Sequence, residues 1–211
     1  MSFFAVDGLT LRFGGITAIR DLSFTVERGE IFAIIGPNGA GKTSVLNVVS
    51  RVFAPSAGMV RFEGADITRL ARHAIADRGI ARTFQNLELF ERASVIDNLL
   101  LGRHRHTRGG TLASLLGLPS HGRREDEARA AVEEIIERLE LNPEETRDLS
   151  FWIEDIRRDL AITVVMIEHD MSLVSAVADR VLCMNQGAAL AIGTAAEVQA
   201  HPDVRAAYLG T

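Results

Sequence analysis

The sequence has little cysteine, no long apolar run and no excess of positive charge. Each shortage removes a class of function. A single cysteine, Cys183, excludes an internal disulfide and any cysteine-rich metal site, and it fits a reducing compartment. No apolar run approaches the roughly eighteen residues needed to span a bilayer; the apolar stretch from Leu112 to Leu118 is far too short. Lys and Arg number 23 against 28 Asp and Glu, which leaves a formal charge of −5 and a pI near 5.7. That balance carries no footprint of nucleic-acid binding. Asp7, Gly8 and Arg12 interrupt the apolar residues near the N-terminus, so no secretory signal is expected. Internal repeats and low-complexity segments are absent too. What remains is ordinary globular composition: 211 residues, 47% hydrophobic and 24% charged. The expectation is one domain, or one with a small subdomain, in the cytoplasm and able to dock on a membrane protein.

One stretch carries clear chemistry: Gly36-Pro37-Asn38-Gly39-Ala40-Gly41-Lys42-Thr43. It fits the phosphate-binding pattern G-x-x-x-x-G-K-[ST]. The apolar run Ile31–Ile35 before it reads as a buried strand, and Ser44–Val49 after it reads as a helix opening. Strand, glycine-rich turn and helix form the context this motif requires. Phosphate oxygens need several N–H donors at once, so the backbone must curl tightly around them, and Gly36, Gly39 and Gly41 permit that curl. The helix beginning near Lys42 aims its free N–H groups and positive dipole end at the anion. Lys42 is placed to reach the terminal phosphates of a nucleotide, and the Thr43 hydroxyl to bind Mg²⁺.

Other candidates are weaker on local grounds. Phe3–Phe13 and Leu22–Val26 read as two strands joined through Gly14-Gly15, edge strands of a mixed sheet. Phe13 reads equally well as an adenine-stacking ring and as a core residue. Met59–Phe62 reads as a strand and Leu70–Arg78 as a short helix. Ile80–Phe84 reads as a strand ending at Gln85, whose amide either touches a metal and water or is simply solvated. Ser94 is a plausible N-cap for the helix that follows it. The basic run Arg103–Arg108 lacks interleaved aromatics, and His104 and His106 have no ligand cluster nearby. Glu125–Glu140 is an amphipathic helix, and another runs from Pro143 to about Leu160. Ala161–Ile167 reads as a buried strand ending in Glu168-His169-Asp170. His169 is then at the carboxyl end of a sheet strand, where open α/β sheets place their chemistry, or on a surface loop. Val181–Ile192 reads as a hairpin, and two short helices close the chain.

The order of these pieces resembles the nucleotide-binding subunits of ABC transporters. The wording ARTFQNLELF, GRHRHTR and VVMIEHDMSLV, with the tail from IGTAAEV to AAYLG, is more specifically similar to the branched-chain amino-acid importer ATPases. That resemblance runs from Leu9 to Gly210. It implies an α/β fold, the three-layer P-loop NTPase sandwich with an antiparallel edge sheet and a helical subdomain at about 86–140. It implies ATP and Mg²⁺ as ligands. Phe13 then takes the adenine-stacking position and Gly36, Pro37, Asn38, Gly39, Ala40, Gly41, Lys42 and Thr43 the phosphate loop, with Ser44 just beyond. Gln85 takes the glutamine-loop position beside the metal and water, and His169 the switch histidine at the γ-phosphate. The implied partners are transmembrane permease subunits, a second ATPase subunit as homo- or heterodimer and, indirectly, a periplasmic binding protein, with no nucleic acid. The implied place is the inner face of the cell membrane.

The chain departs from that pattern at one point. The family has a signature segment of the LSGGQ type, followed by an apolar strand ending in Asp-Glu. No LSGG-like string occurs in this sequence, and no apolar run in it ends in Asp-Glu. Leu141–Thr146 resembles the loop that normally follows the Asp-Glu, so several tens of residues are missing between about Glu140 and Leu141. Val164–Glu168 imitates the absent strand, but His169 and Asp170 follow at once, which assigns Glu168 to the histidine loop and not to catalysis. Three readings follow: an importer ATPase subunit, a hydrolysis-deficient chain that only binds nucleotide, and a P-loop regulatory protein without a membrane partner.

Overall fold

The computed structural model describes residues 2–83, 93–103, 127, 129–134 and 149–209. Gln85, the basic run beyond Arg103 and most of the 86–140 insert lie outside them. The chain divides into two compact units, Met1–Arg82 with Arg147–Thr211, and Thr83–Thr146.

The larger unit holds two four-stranded sheets. Strands β1 (Phe4–Phe13), β2 (Ile16–Val26), β4 (Ala57–Phe62) and β5 (Ala65–Asp66) pair antiparallel in the order β2-β1-β4-β5. The expected edge strand β1 is therefore interior, and this sheet is not mixed. Its alternation is imperfect because the ladder is bulged: the register shifts between Val6 and Leu9 and again around Leu11, with Gly8 at φ 56°. Each bulge moves the inward set of side chains by one residue. β2 also begins at Ile16 and not at Leu22, because polar Arg20-Asp21, with Asp21 at φ 45°, breaks its apolar pattern midway.

The second sheet has the order β6-β3-β7-β8, built from β3 (Ile31–Ile35), β6 (Val164–Ile167), β7 (Arg180–Asn185) and β8 (Ala188–Gly193). β3 runs parallel to both neighbours, and β8 returns antiparallel beside β7. Alternation along β3 and β7 separates two cores. Phe32, Ile34, Leu182 and Met184 face the bulged sheet and helix α1 (Lys42–Val49), joining Leu9, Ile19, Leu22 and Val45. Ala33, Ile35, Val181 and Cys183 face the other way, onto Val174, Val198 and Val204. Those three belong to α5 (Met171–Val177), α6 (Ala195–Ala200) and α7 (Pro202–Leu209), numbering the helices after α2 (Arg72–Asp77), α3 (Val95–Arg103) and α4 (Leu149–Leu160). The result is three layers with β3 in the middle. Each large apolar side chain of β3 buried this way contributes about 1.5–3 kcal/mol.

The start of β3 is clamped on both sides. Gly29 N–H donates to Thr163 Oγ1 at 2.9 Å beside β6, and Ile31 N–H donates to the Asp179 carboxylate at 2.8 Å beside β7. Two expectations fail here. Residues 80–83 form no strand: Gly79 turns the chain at φ 86°, and Arg82 bonds to α1 instead of a ladder. β6, expected to be buried, is half-buried along all four residues, because among the described residues it pairs only with β3.

In the smaller unit, α3 opens on a reciprocal cap. Asp97 N–H donates to Ser94 Oγ at 3.1 Å, and Ser94 N–H donates to the Asp97 carboxylate at 3.2 Å. Residues 129–134 are helical, with Val132 buried and Arg129 paired to Glu133 one turn on.

Candidate phosphate-binding site

β3 delivers its last buried residue, Ile35, directly into the glycine-rich turn. Gly36, Gly39 and Gly41 all have positive φ, at 145°, 81° and 99°, so the curl expected from the sequence is present. Two of these glycines are also needed for space. A Cβ on Gly36 would sit 2.2 Å from the Met184 carbonyl oxygen, and one on Gly41 would sit 2.5 Å from the Ala18 carbonyl oxygen. The loop is thus pressed between β7 behind it and β2 beside it.

A second turn braces it. Gln186 and Gly187 join β7 to β8 with φ of 46° and 83°, the paired positive values of a tight hairpin turn. Gly187 N–H donates to the Ala40 carbonyl at 3.0 Å, and its own carbonyl accepts from Arg20 N–H at 2.8 Å. The sequence predicts a hairpin over Val181–Ile192 with a turn at Asn185-Gln186-Gly187, but not this bracing contact. No local signal distinguishes a bracing turn from any other, because the contact is made between elements remote in the chain.

Lys42 begins α1 and folds back over the turn. Its ammonium donates to the carbonyls of Gly36 at 2.6 Å and Pro37 at 2.9 Å. Partial burial pushes its pKa below the ordinary lysine value, and the nearby Cys183 works slightly in the other direction. Cys183 is itself buried, and burial lifts its thiol to about 11, which keeps it neutral and inert. A cation held against carbonyls at the mouth of an N–H-lined loop can transfer its donors to an anion without moving its stem. The residues therefore fit a nucleotide triphosphate. Thr43 and Ser44 follow on the first turn of α1 and offer hydroxyls for a divalent ion. Among the described residues no group of three or more His, Cys, Asp or Glu side chains is placed to hold a metal ion.

Phe13 lies at the tip of the β1–β2 hairpin, opposite Ile16. It is 45% exposed and so is not a core residue. Its ring meets Phe53 edge to face, with centroids 5.0 Å apart at 78°. Ala18, whose carbonyl abuts Gly41, is two residues from Ile16 on the same strand, about 7 Å along it. The hairpin thus brings a supported, half-exposed ring to the same side of the fold as the loop.

His169 follows β6. Ile167 pairs with Ile34, and two further residues on each chain reach His169 and Gly36. The His169 side chain is 95% exposed, with Nδ1 3.7 Å from the Glu168 carboxylate, and the backbone N–H of His169 donates to the same carboxylate at 3.2 Å. Asp170 then caps α5, accepting from the N–H groups of Ser172 at 2.8 Å and Leu173 at 3.4 Å. Those bonds hold its carboxyl below the usual range. Gln85 lies outside the described residues. Arg82, three positions before it, was not singled out from the sequence.

The comparisons with known proteins agree with this geometry. The family model described as ABC transporter matches residues 19–168. The chain belongs to the ABC transporter family. A second model of that family, branched-chain amino acid ATP-binding cassette transporter, matches residues 190–211. Among ABC transporter proteins, the chain is 37% identical over 246 residues to the high-affinity branched-chain amino acid transport ATP-binding protein BraF of Pseudomonas aeruginosa, covering 97% of this chain and 96% of that protein. It is 33% identical over 247 residues to LivG of Escherichia coli, a protein of the same description, with 98% and 97% covered. Two solved ATP-binding cassettes of ABC transporters match over 100% of both chains at 25% identity: MJ1267 in its ADP conformation, TM-score 0.79, and a nucleotide-free cassette, TM-score 0.78. The fold is that of the ABC cassette. The alignments to BraF and LivG are longer than the 211 residues of this chain. These ABC transporter relatives therefore carry several tens of residues with no counterpart here.

Proposed function

We propose that this chain is the ATP-binding subunit of an importer for branched-chain amino acids, and that as written it binds MgATP far better than it cleaves it. The observation that carries the binding half is the braced loop with Lys42 folded across its carbonyls. Phe13 stacks on the adenine, the loop amides and Lys42 take the phosphates, and Thr43 takes the metal ion, with Gln85 beside it. His169 contacts the terminal phosphate. A bound Mg²⁺ would supply charge neutralisation between the phosphates. Partners of this reading are permease subunits and a second ATPase subunit, with a periplasmic binding protein acting indirectly, at the inner face of the membrane. No helix among the described residues is long and apolar enough to cross a membrane, so attachment would run through those partners.

The hydrolytic half rests on the length difference from BraF and LivG and on the absence from the sequence of an LSGGQ-like string and of an apolar run ending in Asp-Glu. Phosphoryl transfer is mostly positioning and charge stabilisation, so each lost part lowers the rate directly. The second reading, a nucleotide-binding subunit without effective turnover, is favoured by that specific observation. Isothermal titration with MgATP tests the first part. A saturable isotherm that weakens by about 1.5–3 kcal/mol in Lys42→Ala is expected, and an unchanged isotherm in Lys42→Ala would mean that the loop does not bind the nucleotide.

A further inference from the structure

Tyr208 is the chain's one tyrosine, and it stands in the last turn of α7. That helix packs through Val204, which is buried in the same cluster as Ile35 and Cys183. Tyr208 is four residues on from Val204, so it lies on the same helix face one turn further along. Ile35 ends β3, and Gly36 follows it at once. The helix face that covers the end of the strand therefore carries the phenol to the start of the phosphate loop. There the Gly36 backbone N–H is hydrogen-bonded to the phenol oxygen, with Cys183 beside it. Gly36 is thus held on several sides. Its N–H meets Tyr208, and its carbonyl accepts from the Lys42 ammonium at 2.6 Å. Its α-carbon is pressed against β7, where a Cβ would sit 2.2 Å from the Met184 carbonyl oxygen. Burial and Cys183 raise the phenol pKa, while the bond from Gly36 works the other way. Tyr208 is therefore neutral at physiological pH and brings no negative charge toward bound phosphate.

We propose that Tyr208 is a positioning residue for the nucleotide: its hydroxyl anchors Gly36, so that the Gly36 carbonyl and the Lys42 ammonium folded onto it stay where phosphate is received. The proposal rests on the nucleotide-binding reading above. It joins the last helix of the chain to the phosphate loop, two elements far apart in sequence. The anchored N–H belongs to the first residue of the loop, which leaves the later amides free for the anion. A tyrosine suits the place because its ring is apolar and its tip is polar. The ring continues the apolar face of α7 over the end of β3, and the oxygen reaches the backbone. A residue that only packed would need the ring. This role needs the oxygen, and a phenylalanine separates the two.

The test has two arms on the full chain. In the first, calorimetry compares MgATP binding by the unmodified chain and by Tyr208→Phe, which keeps the ring and removes the oxygen. One hydrogen bond sets the scale, so affinity should fall about two- to tenfold. In the second, isotope-labelled tyrosine gives a single ring signal by NMR, because the chain holds one tyrosine. That signal should move along the MgATP binding curve of the unmodified chain, and along the weakened curve of Lys42→Ala. The second arm changes nothing at position 208, which covers the case where Tyr208→Phe fails to fold. An affinity in folded Tyr208→Phe equal to that of the unmodified chain overturns the proposal, and so does a tyrosine signal unmoved at saturating MgATP. Absence of a saturable isotherm in the unmodified chain instead overturns the nucleotide-binding reading, and this proposal with it.

Discussion

β3 and β6 lie side by side, with Ile34 level with Ile167, yet they are built to different standards. β3 is fully buried along all five residues and runs into a loop held by β2, β7 and a hairpin turn. β6 is half-buried along its four and runs into Glu168 and a His169 side chain that is 95% exposed. Both strands are apolar and short, so the difference does not come from composition. β3 has a paired strand on each side, whereas β6 has one among the described residues. A strand's neighbours decide how firmly the loop at its tip is held. Here the tip proposed to grip phosphate follows a fully buried strand, and the tip proposed to contact the γ-phosphate follows a half-buried one.

The largest effects should separate the two strands themselves. Ile34→Ala should cost about 2–5 kcal/mol, since a fully buried isoleucine leaves a cavity. Ile167→Ala, its half-buried register partner, should cost no more than about half of that range. Urea denaturation of the two variants decides it, and equal costs would mean that β6 is as well covered as β3. Next comes Lys42→Ala, which removes a charge-assisted contact to phosphate and should weaken ATP binding by about 1.5–3 kcal/mol. Phe13→Ala should weaken it by about 1–3 kcal/mol through lost stacking. An unchanged affinity would leave Phe13 as a partner of Phe53 alone.

The smallest effect is a pH dependence with opposite signs for binding and folding. Burial lowers the Lys42 pKa in the folded chain. At neutral pH Lys42 is charged in both folded and unfolded chains, so the burial cost is fully present. As pH rises through the lowered folded value, the folded chain releases a proton that the unfolded chain still holds, and folding stability rises. ATP affinity should fall over the same interval, beginning below the ordinary lysine value of about 10.4. Parallel changes in both quantities would contradict that assignment of the shift.

Much of this was legible in the sequence because local rules govern it. The glycine pattern around Lys42 requires positive φ, and the structure has it at all three positions. Ser94 was read as an N-cap and is one. The hairpin over Val181–Ile192 follows from the sequence, but the bracing contact of Gly187 with Ala40 does not, since nothing local encodes a partner well over a hundred residues away. β1 looked like an edge strand because bulges around Gly8 disturbed its period. Residues 80–83 looked like a strand because Ile80 and Ala81 are apolar, but Arg82 turns to Asn47 and Ser50. The β1 miss comes from bulges in its ladder, and the miss at 80–83 from a contact with a remote helix that no local pattern carries.

If the phosphate grip has been kept without the parts that cleave ATP, the chain binds MgATP and does not turn it over. Phosphate release by the purified chain, alone and with its paired subunit and permease, tests it most directly, with Lys42→Ala as the control. A missing general base by itself lowers the rate about 10²–10⁴-fold. Saturable MgATP binding is expected, with phosphate release at the level of the Lys42→Ala control. Lys42-dependent turnover at about one per second or faster, an ordinary enzyme rate, would contradict it and would point to Glu168 as the acid that has taken the catalytic place.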